Sequence, residues 1–198
     1  MKYSGQKDYT LEIGTLTRTL PIVEIEKGKL WIASFVMLGD TELNSYCAKM
    51  LAPRVNEEFD YLLVPEAKAI PLAQCICQSF SNPRDYVVLR KSKKSYMLEP
   101  RVTEVKSITT PLPQIMVLDG RDAVKITNKK VMLLDDVVST GGTYSAMARL
   151  AKAEKAEITG ACAVLKEGNF DISKIEKEIG VKIFHLQTLP IFTNENPD

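Results

Sequence analysis

The sequence predicts an α/β protein: a parallel sheet flanked by helices, with a small N-terminal hairpin and helix forming a cap. Three observations carry this. From residue 61 onward, short apolar strands alternate with helix-forming stretches, as in sheets covered on both faces. Residues 131–143 read Val131-Met132-Leu133-Leu134-Asp135-Asp136-Val137-Val138-Ser139-Thr140-Gly141-Gly142-Thr143. They pass from an apolar strand through paired carboxylates into a glycine-bearing turn ahead of a helix. Before residue 61 the alternation is absent and a hairpin pattern takes its place.

In chain order, residues 22–36 alternate on either side of Lys27-Gly28-Lys29, a hairpin signal with glycine in the turn. Asp40 caps a helix to about Leu51, which Pro53 ends. Tyr61 to Val64 is a short strand, Ile70 to Phe80 a helix with one apolar side, and Tyr86 to Leu89 a second strand. Residues 91–114 break the rhythm. They are polar, start with Lys91, Lys93 and Lys94, and later read Thr109-Thr110-Pro111-Leu112-Pro113. This is a flexible loop or loose hairpin, and excursions of such length in a compact domain tend to be functional lids. Ile115 to Leu118 is a strand followed by a turn at Asp119-Gly120; Lys130 to Leu134 is the strand of the glycine turn, with a helix over Tyr144 to Lys155. Glu157 to Leu165 is a strand, Ser173 to Ile179 a helix stopped by Gly180, and Val181 to Leu186 the last strand. The chain reads as one domain over 1–198, with the cap and helix at 1–58, the core at 59–190 and the flexible loop at 91–114.

Composition narrows the function classes. The net charge of +1 gives no global field toward nucleic acid or a membrane surface, so neither is an expected partner. No apolar run approaches the ~20 residues of a membrane span, and Met1 to Asp8 lacks the apolar core of a secretory signal, so the expectation is cytoplasmic. The cysteines at 47, 75, 77 and 162 include a C-x-C but no C-x-x-C, and His185 is the only histidine. Zinc-site, redox-dithiol and Ser-His-Asp hydrolase readings therefore find little support.

The glycine turn has chemical work in each part. Glycines let backbone N–H groups close on a phosphate, and Ser139, Thr140 and Thr143 add hydroxyl donors. Asp135 and Asp136, at the strand's carboxyl end, suit ribose hydroxyls or a hydrated Mg²⁺. A Walker A loop is excluded because no lysine follows the glycine pair, and a dinucleotide turn is disfavoured because the acids precede the glycines. The segment resembles the 5-phosphoribosyl 1-pyrophosphate (PRPP) signature of type I phosphoribosyltransferases. The resemblance implies that Val138, Ser139, Thr140, Gly141, Gly142 and Thr143 take the 5′-phosphate. It further implies that Asp135 and Asp136 serve as catalytic, ribose-binding and Mg²⁺-associated acids.

Two further stretches resemble the same family. Val64-Pro65-Glu66-Ala67-Lys68-Ala69-Ile70-Pro71-Leu72-Ala73 is similar to its pyrophosphate loop. The resemblance implies contacts from Ala67 and Lys68 and a non-proline cis peptide at Ala67–Lys68. Arg90-Lys91-Ser92-Lys93-Lys94 is similar to the start of the family's flexible loop, which implies pyrophosphate contacts from Arg90, Lys91 and Lys94 and a homodimer whose loops reach across. Tyr96-x-Leu98-Glu99 resembles the loop of adenine enzymes, where Glu99 would be a catalytic acid, although Pro100 departs from that pattern.

The resemblance implies transfer of a phosphoribosyl group from PRPP to a purine base with Mg²⁺ as cofactor. Adenine is the preferred base, and a 6-oxopurine (xanthine, guanine or hypoxanthine) the alternative. Trp31, Phe35 and Phe192 are candidate base-stacking rings, with core packing an equal reading for Trp31. A PRPP-sensing regulator is the competing class. Against it, Thr41 to Leu51 carries one Lys, so this helix is no basic recognition helix.

Overall fold

A computed structural model describes residues 1–55, 58–105 and 114–194. The elements are β1 (Asp8–Ile13), β2 (Leu16–Glu26), β3 (Leu30–Ala33), α1 (Thr41–Leu51), β4 (Tyr61–Pro65), α2 (Ile70–Gln78), β5 (Asp85–Leu89), β6 (Arg101–Val105), β7 (Gln114–Leu118) and α3 (Gly120–Ile126). They continue with β8 (Lys130–Val138), α4 (Gly142–Ala153), β9 (Glu157–Glu167), α5 (Ser173–Ile179), β10 (Ile183–Leu189) and β11 (Ile191–Thr193).

The central sheet has the order β10-β9-β8-β4-β5, and every pairing in it is parallel. Parallel strands are buried on both faces, which is why they read as apolar runs rather than as alternation. Along each strand, successive side chains enter different layers. Leu62, Val64, Met132 and Leu134 pack with α1, α2 and the cap, whereas Leu63, Val131 and Leu133 pack with α3, α4 and α5. All seven are at most 2% exposed, and burying a side chain of this kind is worth roughly 1.5–3 kcal/mol.

Caps fix the helix starts. Asp40 accepts the Leu43 amide at 2.9 Å, as its position before α1 predicts. Asp119 does the same for α3 by accepting the Arg121 amide at 2.9 Å. The sequence by itself shows Asp119-Gly120 only as a turn, because a two-turn helix is too short to show a period.

The cap differs most from expectation. It is a four-stranded antiparallel sheet in the order β1-β2-β3-β11, and the chain's last strand completes it. The hairpin around Lys27-Gly28-Lys29 is present as β2–β3. The β1 strand escaped notice because its buried positions are confined to Leu11 and Ile13, leaving too little apolar alternation.

The stretch after β5 holds a run of turns over 91–98 and then the antiparallel pair β6–β7. Residues 106–113 of the loop expected over 91–114, including Thr109 to Pro113, lie outside the described residues. The pair is tied to α4: Arg149 Nε donates to Thr103 Oγ1 at 3.0 Å, and Arg101 meets Glu154 at 2.9 Å. At its other side, Arg90 and Val117 exchange two backbone hydrogen bonds of 2.8 Å, so β7 runs beside the end of β5.

Candidate active site

Because the central strands are parallel, Pro65, Leu89, Val138, Glu167 and Leu189 all end at one edge of the sheet. Ligands in such sheets sit outside that edge, where the turns diverge. A cavity of about 320 Å³ opens there. Its walls include Phe35 and the rest of 32–35 from the cap, Glu66, Ala67 and Lys68 after β4, Arg90 and Lys91 after β5, Asp135 and Asp136 in β8, Ser139 and Thr143, and Glu167 and Leu189. A smaller hollow of about 90 Å³ adjoins it, lined by the whole run Val137 to Tyr144.

The small hollow is a helix N-terminus. Gly141 caps α4 with φ +82°, a left-handed conformation that an L residue resists. A Cβ there would stand 2.5 Å from Ile175 Cγ1, so α5 fills the space behind the turn and holds it closed. Backbone N–H groups of the first turn of α4, which lack intrahelical acceptors, are then available to an anion.

The acid pair lies in the wall between this hollow and the turn after β4. Asp135 Oδ1 accepts the Asp136 amide at 2.8 Å. Burial, and after it the neighbouring Asp136 charge, pushes the Asp135 carboxyl well above its ordinary value. Asp136 Oδ2 is buried and has no hydrogen-bond partner. Lys68 Nζ stands 3.5 Å from it, an ion-pair distance too long for a good hydrogen bond, and donates to the Phe35 carbonyl at 3.2 Å. That oxygen thus has unfilled acceptor capacity, with the Lys68 ammonium as its nearest charged neighbour.

Glu66 and Glu167 are further carboxylates on the cavity. Glu66 Oε2 accepts Arg90 Nε at 2.5 Å, and its Oε1 accepts the Lys91 amide at 2.5 Å. Partial burial works to raise the Glu66 carboxyl, but the Lys91 amide and the Arg90 guanidinium together outweigh it and hold it below the ordinary value. Burial raises the Glu167 carboxyl, with Lys68 opposing.

Hard carboxylate oxygens are the donors Mg²⁺ prefers. Among the described residues no three His, Cys, Asp or Glu side chains cluster to form a complete site. The unpartnered Asp136 Oδ2 beside Asp135 fits a cation that keeps most of its coordination with water and substrate phosphates.

A model of the phosphoribosyl transferase domain matches residues 41–187, most of the chain. The chain belongs to that family. Similar proteins include the hypoxanthine/guanine phosphoribosyltransferase of Methanococcus vannielii, 30% identical over 152 residues that cover 77% of each chain. The adenine phosphoribosyltransferase of Mycoplasma capricolum is 27% identical over 168 residues, covering 83% of this chain and 90% of that one. The crystal structure of adenine phosphoribosyltransferase from Thermoanaerobacter pseudethanolicus shares the fold, with a TM-score of 0.64 and 21% identity over 77% of this chain and 84% of that one.

The structure of this phosphoribosyltransferase gathers most of the residues singled out from sequence. Ala67, Lys68, Arg90, Lys91, Asp135, Asp136, Ser139, Thr143 and Phe35 line the main cavity, and Val138, Thr140, Gly141 and Gly142 line the adjoining hollow. Four are not among the lining residues. Lys94 turns its ammonium back to Ser92 Oγ at 2.7 Å. Glu99 is exposed at a turn with φ +44°, and its carbonyl accepts from Arg101, because the chain bends here to lie against Gly120. Trp31 stacks on Tyr3 at 4.1 Å, and Phe192 meets Tyr9 edge-on at 5.9 Å. Both rings fill the interior of the cap because β3 and β11 pair directly, Trp31 opposite Phe192.

The non-proline cis peptide stands at Glu66–Ala67, one bond earlier than expected, since the turn starts directly after Pro65 while the Glu66 amide bonds to the Leu89 carbonyl at 2.8 Å. Sequence reasoning missed Glu167 and Leu189. The signal that would have found them is position: each ends a strand of the same parallel sheet at the same edge.

Proposed function

We propose that this protein transfers the phosphoribosyl group of PRPP to a purine base in the cytoplasm, as a salvage enzyme working as a homodimer. The observation that carries the reading is the convergence of two anion-accepting turns, after β4 and after β8, on one cavity with an acid pair between them. Family membership and relatives named as purine phosphoribosyltransferases support it.

In this reaction a base nitrogen forms a bond to ribose C1 while the C1–oxygen bond to pyrophosphate breaks, and the electron pair leaves with pyrophosphate. Val138 to Thr143 hold the 5′-phosphate through N–H and hydroxyl donors. Lys68, Arg90 and Lys91 offset the negative charge that grows on the leaving group. Asp136 accepts from the ribose hydroxyls and places its negative charge near the ring carbon that becomes positive. Asp135, whose carboxyl is pushed above its ordinary value by burial and then by the Asp136 charge, is the member of the pair suited to take up or pass on a proton. When bound, Mg²⁺ would be held beside Asp135 and Asp136 and would neutralise pyrophosphate charge. Val105, Gln114, Ile115 and Met116 of the β6–β7 pair wall the cavity beside Lys91, where they would exclude water from bound PRPP.

The base then faces the cap side, between Phe35, Glu167 and Leu189. Adenine is the first reading, supported by the Mycoplasma capricolum relative. A 6-oxopurine is the second, favoured by the higher identity of the Methanococcus vannielii relative. Glu99, Trp31 and Phe192 are not among the residues lining the cavity, and this reading gives them no contact with the base. The test is one competition assay offering adenine, hypoxanthine, guanine, xanthine, orotate and uracil with PRPP. A dominant purine nucleotide supports the reading. A dominant pyrimidine product overturns it, and PRPP binding without turnover on any base makes the protein a sensor.

A further inference from the structure

We infer that Glu66 is a positioning residue for PRPP: its carboxylate gathers the Arg90 guanidinium and the Lys91 amide, so that the turns after β4 and β5 meet the pyrophosphate as one unit. The inference rests on the PRPP reading above.

A carboxylate on the wall of a cavity that takes a polyanion is electrostatically adverse, because like charges repel. A bystander at this place would weaken PRPP binding and nothing else. Glu66 is not a bystander in its geometry. Its backbone is fixed by the bond from its amide to the Leu89 carbonyl at 2.8 Å, which carries the β4–β5 pairing one residue past the strand. Its two oxygens are then used separately, one on Arg90 Nε and one on the Lys91 amide, each at 2.5 Å. Arg90 Nη1 also reaches Tyr96 Oη at 3.0 Å, and the Arg90 backbone is paired with Val117 of β7. One carboxylate thus joins the pyrophosphate turn, the end of β5 and the root of the β6–β7 excursion.

An ordinary ion pair with partly exposed partners would contribute little. Two directed, charge-assisted bonds to adjacent residues do something else: they fix which way a flexible guanidinium points and where Lys91 leaves the sheet. Arg90 touches the ligand in this scheme. Glu66 acts through it.

The sign of one substitution separates the two possibilities. Glu66→Gln keeps an acceptor for the Lys91 amide but loses the charge, and it loses Arg90 when its NH₂ faces the guanidinium. Calorimetry with PRPP and with inorganic pyrophosphate, together with steady-state kinetics, is the measurement. Positioning predicts that Kd and KM for PRPP rise about tenfold or more, the scale of one lost charge-assisted hydrogen bond. The KM for the base and kcat at saturating PRPP should move far less, and Glu66→Asp should recover part of the loss. In a double-variant cycle, Glu66→Gln added to Arg90→Gln should weaken PRPP little beyond Arg90→Gln alone. Unchanged or tighter PRPP binding by Glu66→Gln overturns the inference, and so does full additivity with Arg90→Gln. If the unmodified protein binds neither PRPP nor pyrophosphate, the functional reading and this inference fall together. If it binds PRPP and only these outcomes fail, the inference alone falls.

Discussion

On the side of the cavity where the proposed function seats PRPP, the lining groups come from three turns, each directly following a strand of one sheet; on the side proposed for the base, they come from the cap and from the ends of two further strands. The first side is local. Lys68, Arg90 and Ser139 to Thr143 each lie within a few residues of a strand end, so a short window of sequence contains both the scaffold and the chemistry. The base side is assembled by tertiary structure: 32–35 come from the cap, and Glu167 and Leu189 from the last two strands of the core sheet. The difference teaches that strand-end groups carried inside a recognisable motif can be read from one window of sequence, whereas Glu167 and Leu189, which end strands with no motif around them, come into view only with the strand order.

The largest effect expected within this comparison is Asp136→Asn. The unpartnered Oδ2 is the group best placed to meet ribose, and an amide nitrogen in its place would present a donor where an acceptor is needed. Turnover should fall about 10²–10³-fold, the scale for removing one preorganised electrostatic group. Pyrophosphate release by a variant with an unchanged far-UV spectrum measures it, and near-normal turnover would remove Asp136 from the chemistry.

Gly141→Ala probes the same side through packing. The new methyl group would collide with Ile175 and force a left-handed residue to carry a Cβ. The expectation is about 1–3 kcal/mol lost in stability, with weaker PRPP binding. Ile175→Ala in the same chain should return the part due to collision but not the part due to backbone conformation. Paired thermal melts with and without PRPP decide between them. An additive pair would show that α5 does not shape the turn.

The base side is sharpened by two aromatic residues in one connected stretch. Phe35 is 4% exposed and lines the cavity, while Trp31 is 8% exposed and is stacked inside the cap. Phe35→Ala should raise the KM for the base roughly tenfold, worth about 1.4 kcal/mol, and leave the KM for PRPP near its starting value. Trp31→Phe should lower the melting temperature without touching either KM. The reverse pattern would restore Trp31 as a base contact and would place the base elsewhere.

The core strands were legible from residue 61 onward because burial on both faces makes them apolar runs bounded by turn residues; β8, however, runs past the expected end at Leu134 to Val138, so Asp135 and Asp136 lie within the strand and not beyond it. The acid pair and the glycine turn were legible because their order along the chain is their order in space. Glu99 and Lys94, named from the loop resemblance, and Trp31 and Phe192, named as rings near the cap, stand off the cavity for reasons no short window of sequence shows: the backbone carbonyls of Leu98 and Glu99 lie against Gly120, Lys94 bonds to Ser92, and the two rings are set by the β3–β11 pairing. Glu66 takes its meaning from Arg90 and Lys91, partners that only the fold supplies, and Glu167 from ending β9 at the cavity edge.

The smallest expected effect is on Asp135, and it tests whether the two adjacent acids do different work. Burial and the Asp136 charge raise the Asp135 carboxyl above the ordinary value of 3.8 in the folded chain. A carboxyl raised in the folded state stabilises most below its unfolded value, and that contribution is lost as pH rises through the folded one. At neutral pH the native chain therefore holds a carboxyl that folding keeps from ionising freely. Asp135→Asn keeps the Oδ1 acceptor for the Asp136 amide and has no proton to lose. It should melt higher than the native chain at neutral pH, even as turnover falls. The advantage should shrink as pH drops toward 4 and be absent below the ordinary carboxyl range. Melting curves across pH 4–8 check both size and sign. A gain that does not depend on pH would show that packing, not charge, sets the difference, and a loss at every pH would show that the buried carboxyl is held by interactions that an amide cannot replace.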